Sequence, residues 1–243
     1  MSQDLQNQAT VAAEPIGDAV AGVRDRIVGA CHRSGRSPMD VRLIAISKTM
    51  PPERIREAFQ AGIIDFGENR VQEAADKRTV LADLPIIWHL VGTLQRNKAA
   101  LAARLFDSIH SVDSVAVARK IDSAVEESRA RLPVLIQLNL AGEETKGGVS
   151  ESEAVPMVEE LSQLKRIQVK GLMQVPPFFA NAELSRPYFR KMAAIRRQIL
   201  AAKIEGVVMD VLSMGMSHDF EVAIEEGATH IRVGRAIFGE RGH

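Results

Sequence analysis

The sequence predicts an α/β protein built as a single (β/α)8 TIM barrel, and three observations carry that reading. The chain has 243 residues, a length that α/β barrels of about 250 residues fill as one unit. Short apolar or β-branched runs alternate with longer segments whose apolar residues recur three and four apart. A polar group stands at or just past the C-terminal end of every run. In order, the runs and their end groups are 41–47 with Lys48, 63–66 with Glu68 and Asn69, 86–91 with His89, and 106–110 with Ser111. The second half continues with 134–140 and Asn139, 168–173 and Gln174, 207–212 and Ser213, and 230–233 with Arg232. A helix over 17–33 precedes the first strand, and helices over 53–61, 68–82, 95–104, 114–129, 151–165, 185–203 and 218–227 fill the intervals. A doubly wound open sheet would alternate in the same way. The polar ends favour the barrel, because a closed sheet brings all eight to one mouth, where active sites of this fold are built. An open sheet would spread them along a line.

Composition narrows the function classes. Hydrophobic residues are 46% and charged residues 26% of the chain, which excludes wholesale disorder. Lys plus Arg and Asp plus Glu are 31 each, so no bulk field draws the protein to nucleic acid or anionic lipid, and any anion must be held locally. Cys31 is the only cysteine, which rules out an internal disulfide or multi-cysteine metal site and fits a reducing, cytoplasmic setting. No apolar stretch reaches the roughly 18 residues of a membrane helix. Residues 1–14 are polar and lack the pattern of a secretory signal. They read as a flexible tail before a barrel domain over 15–243. The six histidines include no helical i, i+4 pair enclosing a glutamate, so no metal is expected.

Two glycine-bearing turns close the chain: Ser213-Met214-Gly215-Met216-Ser217 after the seventh strand and Gly234-Arg235-Ala236 after the eighth. Glycine lets backbone N–H groups approach an anion closely, and barrels often hold phosphate after strands seven and eight. Taken alone, the first string reads as a tight turn with Ser217 capping a helix before it reads as an anion site. Lys48 ends the first strand. At a barrel mouth, partial desolvation would favour its free amine, which can add to an aldehyde as a Schiff base. An aldehyde that also carries phosphate is pyridoxal 5′-phosphate, and the two signals then describe one cofactor site. Arg232 could pair with a carboxylate such as Glu68 or donate to a pyridine nitrogen; as a permanent donor it would leave that nitrogen unprotonated and weaken the cofactor as an electron sink. Asn69 reads as a helix cap or a cofactor contact, His89 as a packed core histidine or a ligand contact. Glu143, Glu144 and Lys146 form a solvated loop or a lid after the fifth strand.

Several strings then resemble one family in register from about residue 40 to Gly239. They include Ala45-Ile46-Ser47-Lys48-Thr49, Asp65-Phe66-Gly67-Glu68-Asn69-Arg70, Trp88-His89, Gly142 through Gly148, Gly171-Leu172-Met173, Leu212 through Ser217 and Ile231-Arg232-Val233-Gly234. Together these resemble the pyridoxal phosphate homeostasis protein family. The resemblance implies a barrel of the alanine racemase N-terminal-domain type without the C-terminal β domain, binding pyridoxal 5′-phosphate in vitamin B6 homeostasis without an established turnover. It implies Lys48 as the Schiff-base lysine, and Ser213, Met214, Gly215, Met216, Ser217 and Gly234 as the phosphate turns. Arg232 is implied to face the pyridine nitrogen, with Asn69 and His89 lining its surroundings.

The expected role is a carrier or buffer that delivers the cofactor to apoenzymes, as a monomer or weak dimer. The enzymatic alternative is a pyridoxal-dependent racemase. That chemistry needs a proton donor opposite Lys48; the only tyrosine, Tyr188, falls in the helical stretch 185–203, and little chain follows the eighth strand for a second domain. An aldolase-like barrel would share Lys48 and the phosphate turns but give Arg232 no role.

Overall fold

Eight parallel strands pair in chain order and close on themselves. They are β1 (Arg42–Ile46), β2 (Asp65–Glu68), β3 (Ile87–Leu90), β4 (Ser108–Val112), β5 (Leu132–Leu138), β6 (Ile167–Gln174), β7 (Val211–Met216) and β8 (His230–Val233). Pairs such as Leu43 with Ile231 and Ile44 with Arg232 join the first strand to the last. This is a computed structural model, and it describes residues 15–143 and 147–240. The tail read over 1–14 and residues 144–146 of the loop after β5 lie outside the described residues.

Helices α1 (Ile16–Arg33), α2 (Pro52–Gln60), α3 (Val71–Val80), α4 (Ala99–Leu105), α5 (Val115–Asp122), α6 (Glu151–Ser162), α7 (Arg186–Ala201), α8 (Phe220–Glu225) and α9 (Arg235–Phe238) surround the barrel. The core is the layer between strands and helices. On α1, the three-and-four spacing of Ile16, Val20, Val23, Ile27 and Ala30 puts one buried stripe against α2, α8 and α9. Each large aliphatic there contributes roughly 1.5–3 kcal/mol by leaving water, so a charged residue at Val23 would be a severe lesion. Because α8 and α9 follow the last two strands, this packing also fixes the turns that close the barrel.

Strand periodicity decides what reaches the interior. On β1, Ala45 joins the outer core. Ile44 and Ile46 face inward, where a Cβ on Gly67 of β2 would fall 2.5 Å from Ile46 Cδ1 and 3.1 Å from Ile44 Cγ2. Continuing the alternation past the strand end turns Lys48 inward as well.

Two sequence expectations shift. The seventh strand was expected over 207–212 but forms over Val211–Met216. Met173 pairs with Ser213 and Met216 with Arg232, so neighbouring strands recruit the glycine-bearing string as strand, while the β-branched Val207 and Val208 precede it, tied to β6 by the Val208 N–H donating to the Val169 carbonyl at 3.1 Å. The helix expected over 114–129 ends at Asp122. Beyond it, the Arg129 guanidinium donates to the carbonyls of Ala103 and Phe106, which holds that segment against the end of α4 instead. Among the described residues no helix is long and apolar enough to cross a membrane.

Candidate functional site

At the C-terminal mouth of the barrel lies a cavity of about 310 Å³. Lys48, Asn69, Met216, Ser217, Arg232 and Gly234 all line it, with Met50, Phe178 and Phe179 among the apolar walls. The volume is at the lower end of the roughly 300–1,000 Å³ of small-molecule sites. That suits one ring with a phosphate.

Lys48 is presented by a clamp on both neighbouring residues. The Lys77 Nζ on α3 donates to the Ser47 carbonyl, Glu68 Oε1 and Glu73 Oε1, each at 2.7 Å. Glu73 Oε1 in turn accepts the Thr49 N–H at 2.5 Å, and the Ser47 hydroxyl donates to Glu68 Oε1 at 2.7 Å. Thr49 has φ +65°, a left-handed conformation unusual for a β-branched residue and held by surrounding contacts. The backbone on either side of Lys48 is therefore tied to α3 through one buried ammonium. Burial pushes the Glu68 carboxyl above its ordinary value against the pull of Lys77, and Glu68 Oε2 is buried without a hydrogen-bond partner. Burial would raise Glu73 too, but its bonds from Lys77 and the Thr49 N–H draw it below the ordinary value.

Arg232 is buried at the cavity floor. Its Nη1 donates to Ser213 Oγ and its Nη2 to the Gln174 carbonyl, both at 2.7 Å. Among the described residues no carboxylate forms an ion pair with it; Glu68 pairs with Lys77 instead. Burial lowers its pKa to about 10, with Asp219 opposing that shift, so at neutral pH it remains a cation and a donor only. A guanidinium with neutral partners suits a neutral acceptor in the cavity.

At the ends of β7 and β8, the latter paired with β1, the Gly234 and Ala236 N–H groups converge on Ser217 Oγ at 3.2 and 3.4 Å. The Met216 N–H donates to Asp219 Oδ1 at 2.7 Å, capping the end of β7. Gly215 holds φ +91°, and a Cβ there would lie 2.6 Å from Ala223 Cβ and 2.9 Å from Phe220 Cα. Only glycine lets the end of β7 lie this close to α8. Asn69 is seated in the same way: a Cβ on Gly92 would fall 2.3 Å from the Asn69 carbonyl oxygen.

The other four residues singled out in the sequence lie elsewhere. Ser213 is fully buried inside the barrel beneath Arg232. Met214 packs in the outer core, and Gly215 faces α8. These three were expected in a turn, and the later start of β7 makes them strand. His89 stands toward the opposite end, where its Nε2 meets Asp65 Oδ1 at 2.8 Å and its ring lines a second cavity of about 1190 Å³ with Asp65, His110 and His230. Position 89 is the third residue of the four-residue β3, but its ring leans back along the strand toward β2's first residue. Lys77, Glu73 and Asp219 were missed. The i, i+4 spacing of Glu73 and Lys77 on α3 was a usable signal.

The whole arrangement falls within residues 33–242, which match the family model of the alanine racemase N-terminal domain. The chain is 43% identical to the pyridoxal phosphate homeostasis protein of Aquifex aeolicus, covering 92% of this chain and 97% of that protein. Among solved structures it is similar to PipY of Synechococcus elongatus PCC7942 determined with PLP bound, at 38% identity and TM-score 0.81, covering 92% of this chain and all of that one. Alanine racemase from Corynebacterium glutamicum, at 20% identity and TM-score 0.63 over 93% of this chain and 61% of its own, shares the fold. The extent and identity of these matches assign the chain to the pyridoxal phosphate homeostasis protein family, on a barrel of the alanine racemase N-terminal-domain type.

Proposed function

We propose that the upper cavity holds pyridoxal 5′-phosphate, with Lys48 as its covalent attachment point, and that the protein acts as a carrier or buffer of this cofactor within the cell. The observation that carries the proposal is that Lys48, Arg232, Ser217 and Gly234 line one cavity. When bound, pyridoxal 5′-phosphate supplies an aldehyde that condenses with an amine, releasing water, and a ring that withdraws electrons.

The chain's own groups fit that guest. Lys48 turns inward from a strand end whose flanking backbone is fixed, so its amine arrives pre-oriented. The Gly234 and Ala236 amides are already gathered at one point, and the Ser217 hydroxyl that now accepts them can rotate to donate alongside them to a phosphate. Arg232 donates to the ring nitrogen and, staying protonated, keeps that nitrogen without its own proton. The ring then withdraws electrons weakly, which favours holding over carbanion chemistry.

Carriage is favoured over racemase-type turnover by the position of Tyr188. It lies on α7 with its ring 5.9 Å from that of Phe179, and it does not line the cavity. The second proton-transfer group that racemisation requires is thus not supplied by this tyrosine. The assay is cofactor transfer from the loaded protein to a panel of apoenzymes, run beside α-proton exchange on free amino acids. Faster reconstitution than with free cofactor, with negligible exchange, is expected. Rapid exchange would establish an enzyme, and failure to take up cofactor would end the proposal.

A further inference from the structure

The barrel interior below Arg232 is polar, and its polar groups form a single file. Arg232 Nη1 donates to Ser213 Oγ at 2.7 Å. Ser213 Oγ lies 3.1 Å from His110 Nδ1, and His110 Nε2 lies 3.0 Å from Ser108 Oγ. Ser108 Oγ lies 2.6 Å from His89 Nδ1, and His89 Nε2 lies 2.8 Å from Asp65 Oδ1. The file crosses from β8 through β7, β4 and β3 to β2, and all six residues are buried. It joins the cavity at the C-terminal mouth to the cavity at the N-terminal mouth.

The proton positions follow from chemistry at the two ends. A guanidinium only donates and a carboxylate only accepts, while a hydroxyl and a neutral imidazole each have one proton to give. A neutral His89 that donates from Nε2 to the Asp65 carboxylate accepts at Nδ1 from Ser108. With the Ser108 proton so used, His110 donates to Ser108 from Nε2 and accepts at Nδ1 from Ser213, whose oxygen also accepts from Arg232. This assignment gives every hydroxyl proton in the file an acceptor. His110 is held neutral well below the ordinary imidazole range by burial and by His89, His230 and Arg232. Next to it, His230 is lowered to about 3, chiefly by burial. At the lower mouth Arg42 Nη1 also approaches Asp65 Oδ1, at 3.4 Å.

We propose that Asp65, His89, Ser108, His110 and Ser213 are positioning residues for Arg232: the carboxylate at one mouth sets two imidazole tautomers and two hydroxyl rotors, so that the Ser213 proton points to His110 and its oxygen lone pair to the guanidinium at the other mouth. With Nη1 on Ser213 and Nη2 on the Gln174 carbonyl, the guanidinium plane is fixed, and its other N–H groups remain for an acceptor in the cavity. The effect on cofactor rests on reading the upper cavity as a pyridoxal 5′-phosphate site; the tautomers do not.

The test has two arms. In ligand-free full-length protein with ¹⁵N-labelled histidine, NMR at pH 7 should find His89 and His110 as Nε2–H tautomers. Asp65→Ala should convert both to mixtures. In the second arm, Asp65→Ala and Ser213→Ala should each shift the absorption maximum of bound pyridoxal 5′-phosphate and weaken its binding by about tenfold, equivalent to ~1.4 kcal/mol. Ser213→Thr, which keeps the hydroxyl, should restore both. If Asp65→Ala does not fold, Ser213→Ala breaks the same file from its other end and is read by the same NMR signals. Nδ1–H tautomers in the wild type, tautomers unmoved by either variant, or an unshifted spectrum in folded, loaded variants would overturn the proposal. Wild-type protein that takes up no cofactor would remove the cofactor reading alone, and the ligand-free tautomers would still decide the file.

Discussion

Lys77→Met isolates the clamp behind Lys48. Methionine keeps the apolar stem and removes the ammonium that bridges the Ser47 carbonyl, Glu68 and Glu73. Lys77 and Glu68 side chains are 7% and 0% exposed, so Glu68 would be left as a buried charge without its cation. Breaking such a pair from one side costs about 3–5 kcal/mol. At about 2–4 °C per kcal/mol for a domain of this size, the melting temperature should fall by roughly 6–20 °C at pH 7. The pH dependence follows from the direction of the Glu68 shift. Its folded pKa is already raised by burial, and losing Lys77 raises it further. Between the unfolded value and this raised folded value, the folded state holds a proton that the unfolded state has released. Stability is therefore retained below the unfolded pKa and lost as pH rises through the folded pKa. The deficit of Lys77→Met relative to wild type should be least near pH 4 and grow toward neutrality. Adding Glu68→Gln, which removes the orphaned charge, should recover part of the loss at pH 7. Urea denaturation of the wild type, both single variants and the double variant completes the cycle. A loss under about 1 kcal/mol, or one independent of pH, would refute the claim that Lys77 neutralises a buried carboxylate.

Three further outcomes follow. Gly215→Ala forces a left-handed φ and a Cβ 2.6 Å from Ala223 Cβ; it should cost about 1–3 kcal/mol in chemical denaturation and weaken phosphate-dependent uptake. His230 is held to about 3 by burial, so the unfolded chain binds a proton that the folded chain does not, and stability falls as pH drops below about 6.5. At pH 5 this one residue should account for about 2 kcal/mol of that loss, and His230→Asn should reduce the difference in denaturation midpoint between pH 7 and pH 5. Arg232→Lys replaces a planar two-point donor with a point charge; it should alter the absorption of bound pyridoxal 5′-phosphate more than the amount bound, as read by spectral titration.

The barrel was legible because its signals are local. Each strand run is short and apolar, each helix has its three-and-four stripe, and Lys48 and Arg232 follow strand alternation into the interior. The expected site was legible where strand ends coincided with unusual chemistry, which brought Lys48, Asn69, Ser217, Arg232 and Gly234 onto one cavity together with Met216. It was misread where register mattered. Ser213, Met214 and Gly215 look like turn residues because glycine and serine disfavour strands, yet β6 and β8 supply ladder partners that override that preference. His89 could not be assigned to a mouth from sequence, because its direction depends on Asp65 and Ser108 arriving from two other strands. The Lys77 clamp was hidden for the same reason: it spans β1, β2 and α3, and only the Glu73 spacing is local.

The most direct measurement is borohydride trapping. The full-length protein, incubated with pyridoxal 5′-phosphate, is reduced, digested and mapped by mass spectrometry. One reduced pyridoxyl adduct per chain is expected, on the peptide containing Lys48, and Lys48→Ala should lose it while retaining weaker, phosphate-competed binding. An adduct distributed over surface lysines, or retained in full by Lys48→Ala, would contradict a cofactor site formed by Lys48, Arg232 and the turns at Ser217 and Gly234.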